Sequence, residues 1–243
     1  MTVRNIRFRQ SVIRTVLGLA AVSGLAMQPV ESAFAKVVEV SMTAVETKLV
    51  IDGEGHTYDA WTFNGQFPGP VIRVQEGDEV VFSLTNPETN GRPHSMDFHA
   101  AETNFLEHYK EVRPGESLQY RFKAKWPGIF AYHCGASPMI QHIARGMMGA
   151  IIVDPKDPKA LPKADREYVL VQSELFKDPD DVDGMFDRKY QHVVFNGSVF
   201  RYDPVHSKAG GDFLDAKPGE RVRFYFVNAG PNNVSAVHPI AEI

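Results

Sequence analysis

Val71–Asn86 reads VIRVQEGDEVVFSLTN. Two apolar runs rich in Val, Ile, Phe and Leu are split by Glu76-Gly77-Asp78 and closed by Asn86. Runs of this length and composition, bounded by turn residues, are the signature of strands. The texture continues outward in both directions. Lys36–Glu46 (KVVEVSMTAVE), Ser117–Ala124 (SLQYRFKA), Gly128–Cys134 (GIFAYHC), Gly149–Pro155 (GAIIVDP), Arg166–Leu175 (REYVLVQSEL) and Arg221–Asn228 (RVRFYFVN) are all of the same kind. Gly, Pro and Asn punctuate them, and no long amphipathic helix competes. The expectation is an all-β sandwich or barrel.

The opening stretch also has a copy. Phe63-Asn64-Gly65 recurs as Phe195-Asn196-Gly197, and Gly77–Asn86 is matched by Gly219–Asn228. Between the copies, Asp154–Arg166 (DPKDPKALPKADR) is charged and rich in proline, the composition of a linker. A repeated β unit on each side of a linker implies two domains built alike. The expected boundaries are 36–155 for the first, 156–166 for the linker and 167–243 for the second. The second copy has few residues after Asn228, so it is expected to stop inside a domain.

The N-terminal residues MTVRNIRFRQSVIR carry arginines and no acid, and TVLGLAAVSGLAM follows as an apolar run too short to span a bilayer comfortably. Ala33 and Ala35 then supply the small-x-small pattern of a signal-peptidase site. Residues 1–35 are therefore read as a removable export signal, leaving no membrane segment after cleavage. In an oxidising compartment thiols tend to pair. The chain holds a single cysteine, Cys134, which is therefore either buried and inert or held by a metal. A formal charge of −4 without a long basic run argues against a nucleic-acid partner and for a small one.

Tyr132–Gly149 (YHCGASPMIQHIARGMMG) decides between the two fates of the cysteine. With His94 upstream, Cys134, His142 and Met147 make the pattern H…C-x7-H-x4-M. Two imidazoles, a thiolate and a weak axial thioether are the donor set of a blue-copper electron-transfer centre. Met148 stands beside Met147 as a competing or core methionine. In His94–Glu102 (HSMDFHAAE) strand alternation sends His94 and His99 to opposite faces, and the adjacent His133 and Cys134 diverge likewise. His94 and Cys134 thus share one face, leaving His99 and His133 for a second metal. Cys134 and His133 share a peptide bond, a short covalent path between the two. Asp97, two residues from His99, is placed to exchange protons beside that second metal.

These motifs together resemble the copper-containing, nitric-oxide-forming nitrite reductases, and the likeness extends past the linker to NNVSAVHPIAEI. The resemblance implies two Greek-key cupredoxin β-sandwich domains and copper of both type 1 (His94, Cys134, His142, Met147) and type 2 (His99, His133). It implies Asp97 and His238 as the catalytic pair beside bound nitrite. It further implies dissimilatory one-electron reduction of nitrite, an external donor such as a cupredoxin or cytochrome c, a periplasmic location and a homotrimer. In that trimer a third histidine from a neighbour's second domain completes type 2 copper. By the repeat, the counterpart of His133 in the second domain falls beyond Ile243, and the proline after His238 departs from a plain strand.

Two other functions compete. A laccase-like multicopper oxidase needs paired histidines, typically H-x-H, whereas Gly135 follows Cys134 and no H-x-H occurs. A simple blue-copper carrier would need only the first centre. His56, His108, His192 and His206 match no motif and are read as surface or loop residues.

Overall fold

A computed structural model describes residues 35–203, 205 and 212–237. The stretch read as an export signal, apart from Ala35, lies outside these residues, as do His206 and His238. The chain runs through β1 (Val37–Val50), β2 (Thr57–Phe63), β3 (Ile72–Gln75), β4 (Glu79–Thr85), β5 (Asp97–Phe98), α1 (Phe105–His108), β6 (Ser117–Lys123), β7 (Gly128–His133), α2 (Met139–Ala144) and β8 (Met148–Asp154). It continues through β9 (Arg166–Phe176), α3 (Val182–Phe186), β10 (Tyr190–Phe195) and β11 (Val222–Asn228). The all-β expectation is met, and the three helices among the described residues are each short.

Two sheets, ordered β2-β1-β4-β6 and β3-β8-β7-β5, enclose the main core. The side-chain period of two explains which residues enter it. In β4, Val80, Phe82 and Leu84 turn inward, and Tyr120 and Phe122 of β6 do the same. From the other sheet come Phe98, Tyr132, Ile151 and Val153. Phe82 meets Phe98 edge-on with ring centroids 5.0 Å apart, a favoured aromatic geometry. β8 breaks the alternation, because every residue from Met148 to Val153 is buried. The cause is a second packed face. Ile151 and Val153 point into the main core, whereas Met148 and Ala150 pack with Val171 and Val227 of the third sheet, β10-β9-β11.

The sequence repeat is a structural one. β1 runs parallel to β4 as far as Thr43 and antiparallel to β2 from Ala44 onward. β9 likewise runs parallel to β11 and antiparallel to β10, with Gln172 paired to both. Each Phe-Asn-Gly makes the same turn: Asn64 and Asn196 adopt positive φ of 57° and 50°, a conformation Asn tolerates better than most residues. In both copies the Asn side chain accepts from a backbone N–H of the long strand, Thr43 in one and Val171 in the other. Residues 155–165 carry neither strand nor helix. The described residues belong to one compact unit, Phe34–Ile243. Among them no helix is long and apolar enough to cross a membrane.

Candidate metal centres

The first centre forms where three segments meet at one end of the sandwich. His94 precedes β5 and is held by an antiparallel bridge to Val112. Cys134 directly follows β7, and its N–H donates to the Met147 carbonyl. His142 sits in α2, within the β7–β8 connection, and its carbonyl accepts from Met147 N–H. The donor atoms of His94, Cys134 and His142 all lie within 4.8 Å of one another. His94 Nδ1 is 3.3 Å from His142 Nδ1, and that atom is 3.3 Å from Cys134 Sγ. All three side chains are buried, with His142 only 1% exposed.

Met147 is buried in the same core cluster as Cys134, whereas Met148 belongs to the cluster that packs on the third sheet. The neighbouring methionines thus face opposite ways, and only Met147 is on the side of the thiol.

The donor set suits a soft metal ion. Burial pushes the His142 imidazole down to about 3, helped by His94, Arg92 and Arg145. Burial lowers His94 too, against the opposing pull of Glu46. Both rings are therefore neutral near pH 7, the form that ligates. Burial pushes the Cys134 thiol up to about 11, so a metal must displace its proton on binding. The sulfur already accepts the Ser95 N–H at 3.2 Å, and Ser95 Oγ in turn accepts the Gly135 N–H at 2.8 Å. The Trp61 ring packs on His142 with centroids 4.7 Å apart, and the Arg145 guanidinium covers Trp61 at 4.4 Å.

The second group is Asp97, His99 and His133, whose donor atoms also fall within 4.8 Å of one another. The β5–β7 register places Asp97 directly opposite His133, which is why a carboxylate and an imidazole from distant segments become neighbours. The two Nε2 atoms are 2.9 Å apart, and Asp97 Oδ2 is 3.9 Å from His133 Nε2. His133 Nδ1 lies 3.0 Å from the Cys134 carbonyl oxygen. Donation to that oxygen leaves Nε2 with its lone pair free to bind a metal, a tautomer choice made by the outer partner. Burial lowers the His133 value, opposed by the Cys134 carbonyl and Asp97, so this ring too is poised to ligate. In contrast to the first centre, this one is open: His99 is exposed, and Asp97 lines a shallow surface pocket with Leu106, Tyr109, Lys110, Gly135 and Met139.

The structure thus brings together the sequence-predicted residues in two groups, with Met147 beside the first. Among the unmotivated histidines, His56 is exposed and pairs with Asp52 at 2.6 Å, and His108 lies against the Tyr120 ring. His192 differs from expectation, being half-buried within strand β10. Sequence reasoning missed Ser95, Trp61 and Glu46. Ser95 lies inside a quoted motif, next to His94, but nothing local says that it braces the cysteine loop. Trp61 and Glu46 come from β2 and β1, whose closeness to the candidate donors exists only once the sheet has formed.

Residues 44–158 match the multicopper oxidase family. The copper-containing nitrite reductase of Neisseria gonorrhoeae is 40% identical over 222 residues, which cover 85% of this chain and 53% of that protein. That of Alcaligenes xylosoxydans xylosoxydans is 36% identical over 231 residues, covering 84% of this chain and 67% of the relative. The solved copper nitrite reductase from Nitrosomonas europaea at pH 8.5 is 58% identical with a TM-score of 0.80, covering 81% of this chain and 69% of that one. Solved multicopper oxidases match at lower identity. This chain spans about half the length of the Neisseria relatives it matches.

Proposed function

The chain belongs to the copper-containing nitrite reductases, and from that premise we propose that it takes part in the one-electron reduction NO2⁻ + 2H⁺ + e⁻ → NO + H2O. The observation that carries this reading is the split of neighbouring residues, Cys134 and His133, between two donor groups of different character. One group is buried and sulfur-containing, as suits electron storage. The other is open and purely imidazole and carboxylate, as suits a small anion arriving from solvent.

In this reading His94, Cys134, His142 and Met147 hold type 1 copper, and His99 and His133 hold type 2 copper. Copper supplies a one-electron carrier in the first group and, in the second, a Lewis acid that orients an oxyanion. The buried group is braced on several sides, so its ligands have little room to move as charge changes. The hydrogen bond from His133 Nδ1 to the Cys134 carbonyl adds a second short link to the peptide bond between the groups. Asp97 is the residue to hand a proton to nitrite, since it faces His133 from across the ladder. His238 is the second proton donor on the strength of the resemblance alone, because it lies outside the described residues.

The proposal extends to a periplasmic protein with an external donor such as a cupredoxin or cytochrome c. It also extends to two cupredoxin domains, 36–155 and 167–243, joined by 156–166, and to a homotrimer in which a neighbour completes the second copper site. The multicopper oxidase match of residues 44–158 favours laccase-like chemistry as a second reading. Against it stands the absence of any H-x-H pair from the chain.

The test takes two substitutions. Copper-loaded protein should show an intense visible thiolate-to-copper band that Cys134→Ser abolishes. His99→Ala should keep that band and lose nitrite turnover. A colourless copper-loaded protein with Cys134 intact defeats the assignment, and loss of colour with turnover retained would mean that the two faces are reversed.

A further inference from the structure

His94 must present Nδ1 to the buried centre, so its ring proton must reside on Nε2. An imidazole does not make that choice by itself. The atom facing Nε2 is Oε1 of Glu46, 3.2 Å away, on a side chain that is 23% exposed, whereas His94 is fully buried. The carboxylate is not free to swing. Oε1 accepts the Arg92 N–H at 2.9 Å and the Gly91 N–H at 3.1 Å, and Oε2 lies 3.0 Å from that same Gly91 nitrogen. The backbone behind it is tied down as well, since Asn90 Nδ2 donates to the Ala44 carbonyl of β1 and to Asn86 Oδ1. Glu46 therefore fastens the segment leading into His94 to the middle of β1 and meets the ring from its outer side.

The register adds a second half to the device. Glu46 stands opposite Trp61 on the β1–β2 ladder. Trp61 packs against His142 at 4.7 Å and lies edge-on to His94 at 5.8 Å. One rung of a sheet thus seats both imidazoles, the carboxylate from behind and the indole from the side.

We propose that Glu46 is a positioning residue for the buried copper centre: it fixes the Nε2–H tautomer and the ring angle of His94, and its charge favours Cu(II) over Cu(I) there. The inference rests on the reading of that centre as a copper site. A carboxylate that accepts the outer ring proton makes the imidazole a better donor, and loss of such a partner typically costs about 10–100-fold in metal affinity. The more highly charged ion benefits more, so the carboxylate lowers the reduction potential.

The experiment compares the wild-type chain with Glu46→Gln and Glu46→Ala for three quantities. These are Cu(II) affinity, the midpoint potential of the visible centre and, in the metal-free 15N-labelled chain, the slowly exchanging Nε2–H of His94. Glu46→Gln keeps the size and an oxygen acceptor but removes the charge. It should retain the ring proton and the visible band, lose about tenfold in Cu(II) over Cu(I) preference, and therefore raise the potential by ~59 mV. Glu46→Ala should lose protection of the ring proton and bind Cu(II) about 100-fold more weakly. Unchanged potential in Glu46→Gln together with a protected ring proton in Glu46→Ala overturns the proposal. Should Glu46→Ala fail to fold, the potential of Glu46→Gln decides alone. A wild-type chain without the visible band defeats the copper reading itself, a different result. The tautomer clamp then stands or falls on the ring proton in the metal-free variants.

Discussion

Ser95→Ala separates two hydrogen bonds that share one residue. The Ser95 backbone N–H donates to Cys134 Sγ, while its hydroxyl accepts the Gly135 N–H at 2.8 Å. Alanine keeps the first and deletes the second. Ser95 is fully buried, so no water replaces its hydroxyl without a cavity forming. An orphaned buried donor costs about 1–3 kcal/mol, and Gly135 is only half-buried, which points to the lower part of that range, about 1–2 kcal/mol. For a chain of this size the loss corresponds to a fall in Tm of about 2–8 °C. The assay is thermal unfolding of the metal-free protein followed by circular dichroism, with Ser95→Thr as the variant that preserves the acceptor and recovers the loss. Copper-loaded Ser95→Ala should retain its visible band at nearly the same energy, because the donor to sulfur is the backbone. A Tm shift below about 1 °C would refute the claim that the hydroxyl braces the cysteine loop. A displaced band with unchanged Tm would show that the hydroxyl addresses the sulfur instead.

Two further predictions concern the fold around the centres. A Cβ added at Gly149 meets the Tyr132 ring and hydroxyl at 2.3 Å, and Tyr132 is fully buried with its hydroxyl donating to the Pro70 carbonyl. Gly149→Ala should therefore destabilise by about 1–3 kcal/mol through overpacking, with denaturant midpoints as the measure and an unchanged midpoint as the refutation. Glu174 is fully buried in β9; burial raises its carboxyl value while the Asn232 and Asn233 N–H donors oppose the rise. An acid raised in the folded state contributes stability that is complete below its unfolded value, about 4.3, and lost as pH climbs through the folded value. Glu174→Gln should remove that part of the decline in stability as pH rises above about 4.3, as followed by unfolding at a series of pH values, and a profile as steep as the wild type would contradict it.

The grouping of the candidate donor residues was legible because it is local. His133 ends β7 with Cys134 just after it, and His94 and His99 flank the short β5, so side-chain alternation groups them with no knowledge of the partner strand. The same holds for the all-β texture and for the repeat, since identical turns demand identical residues: Phe-Asn-Gly supplies a positive-φ asparagine in both copies. What local pattern does not carry is which element lies behind a given face. Met148 stands directly beside the Met147 of the spacing pattern, and the packing of β8 between two sheets sends one toward the thiol and the other toward Val171 and Val227. Glu46 and Trp61 have no motif; they become neighbours of His94 and His142 through the β1–β2 register and through a loop folded back onto β1. Pairing of residues far apart in the chain is decided by the cooperative closure of the whole sheet, in which one shift of register moves every side chain to the other face. The candidate donor atoms are thus written in short stretches of sequence, whereas the groups that hold those atoms at their angles come from strands that only tertiary structure sets beside them.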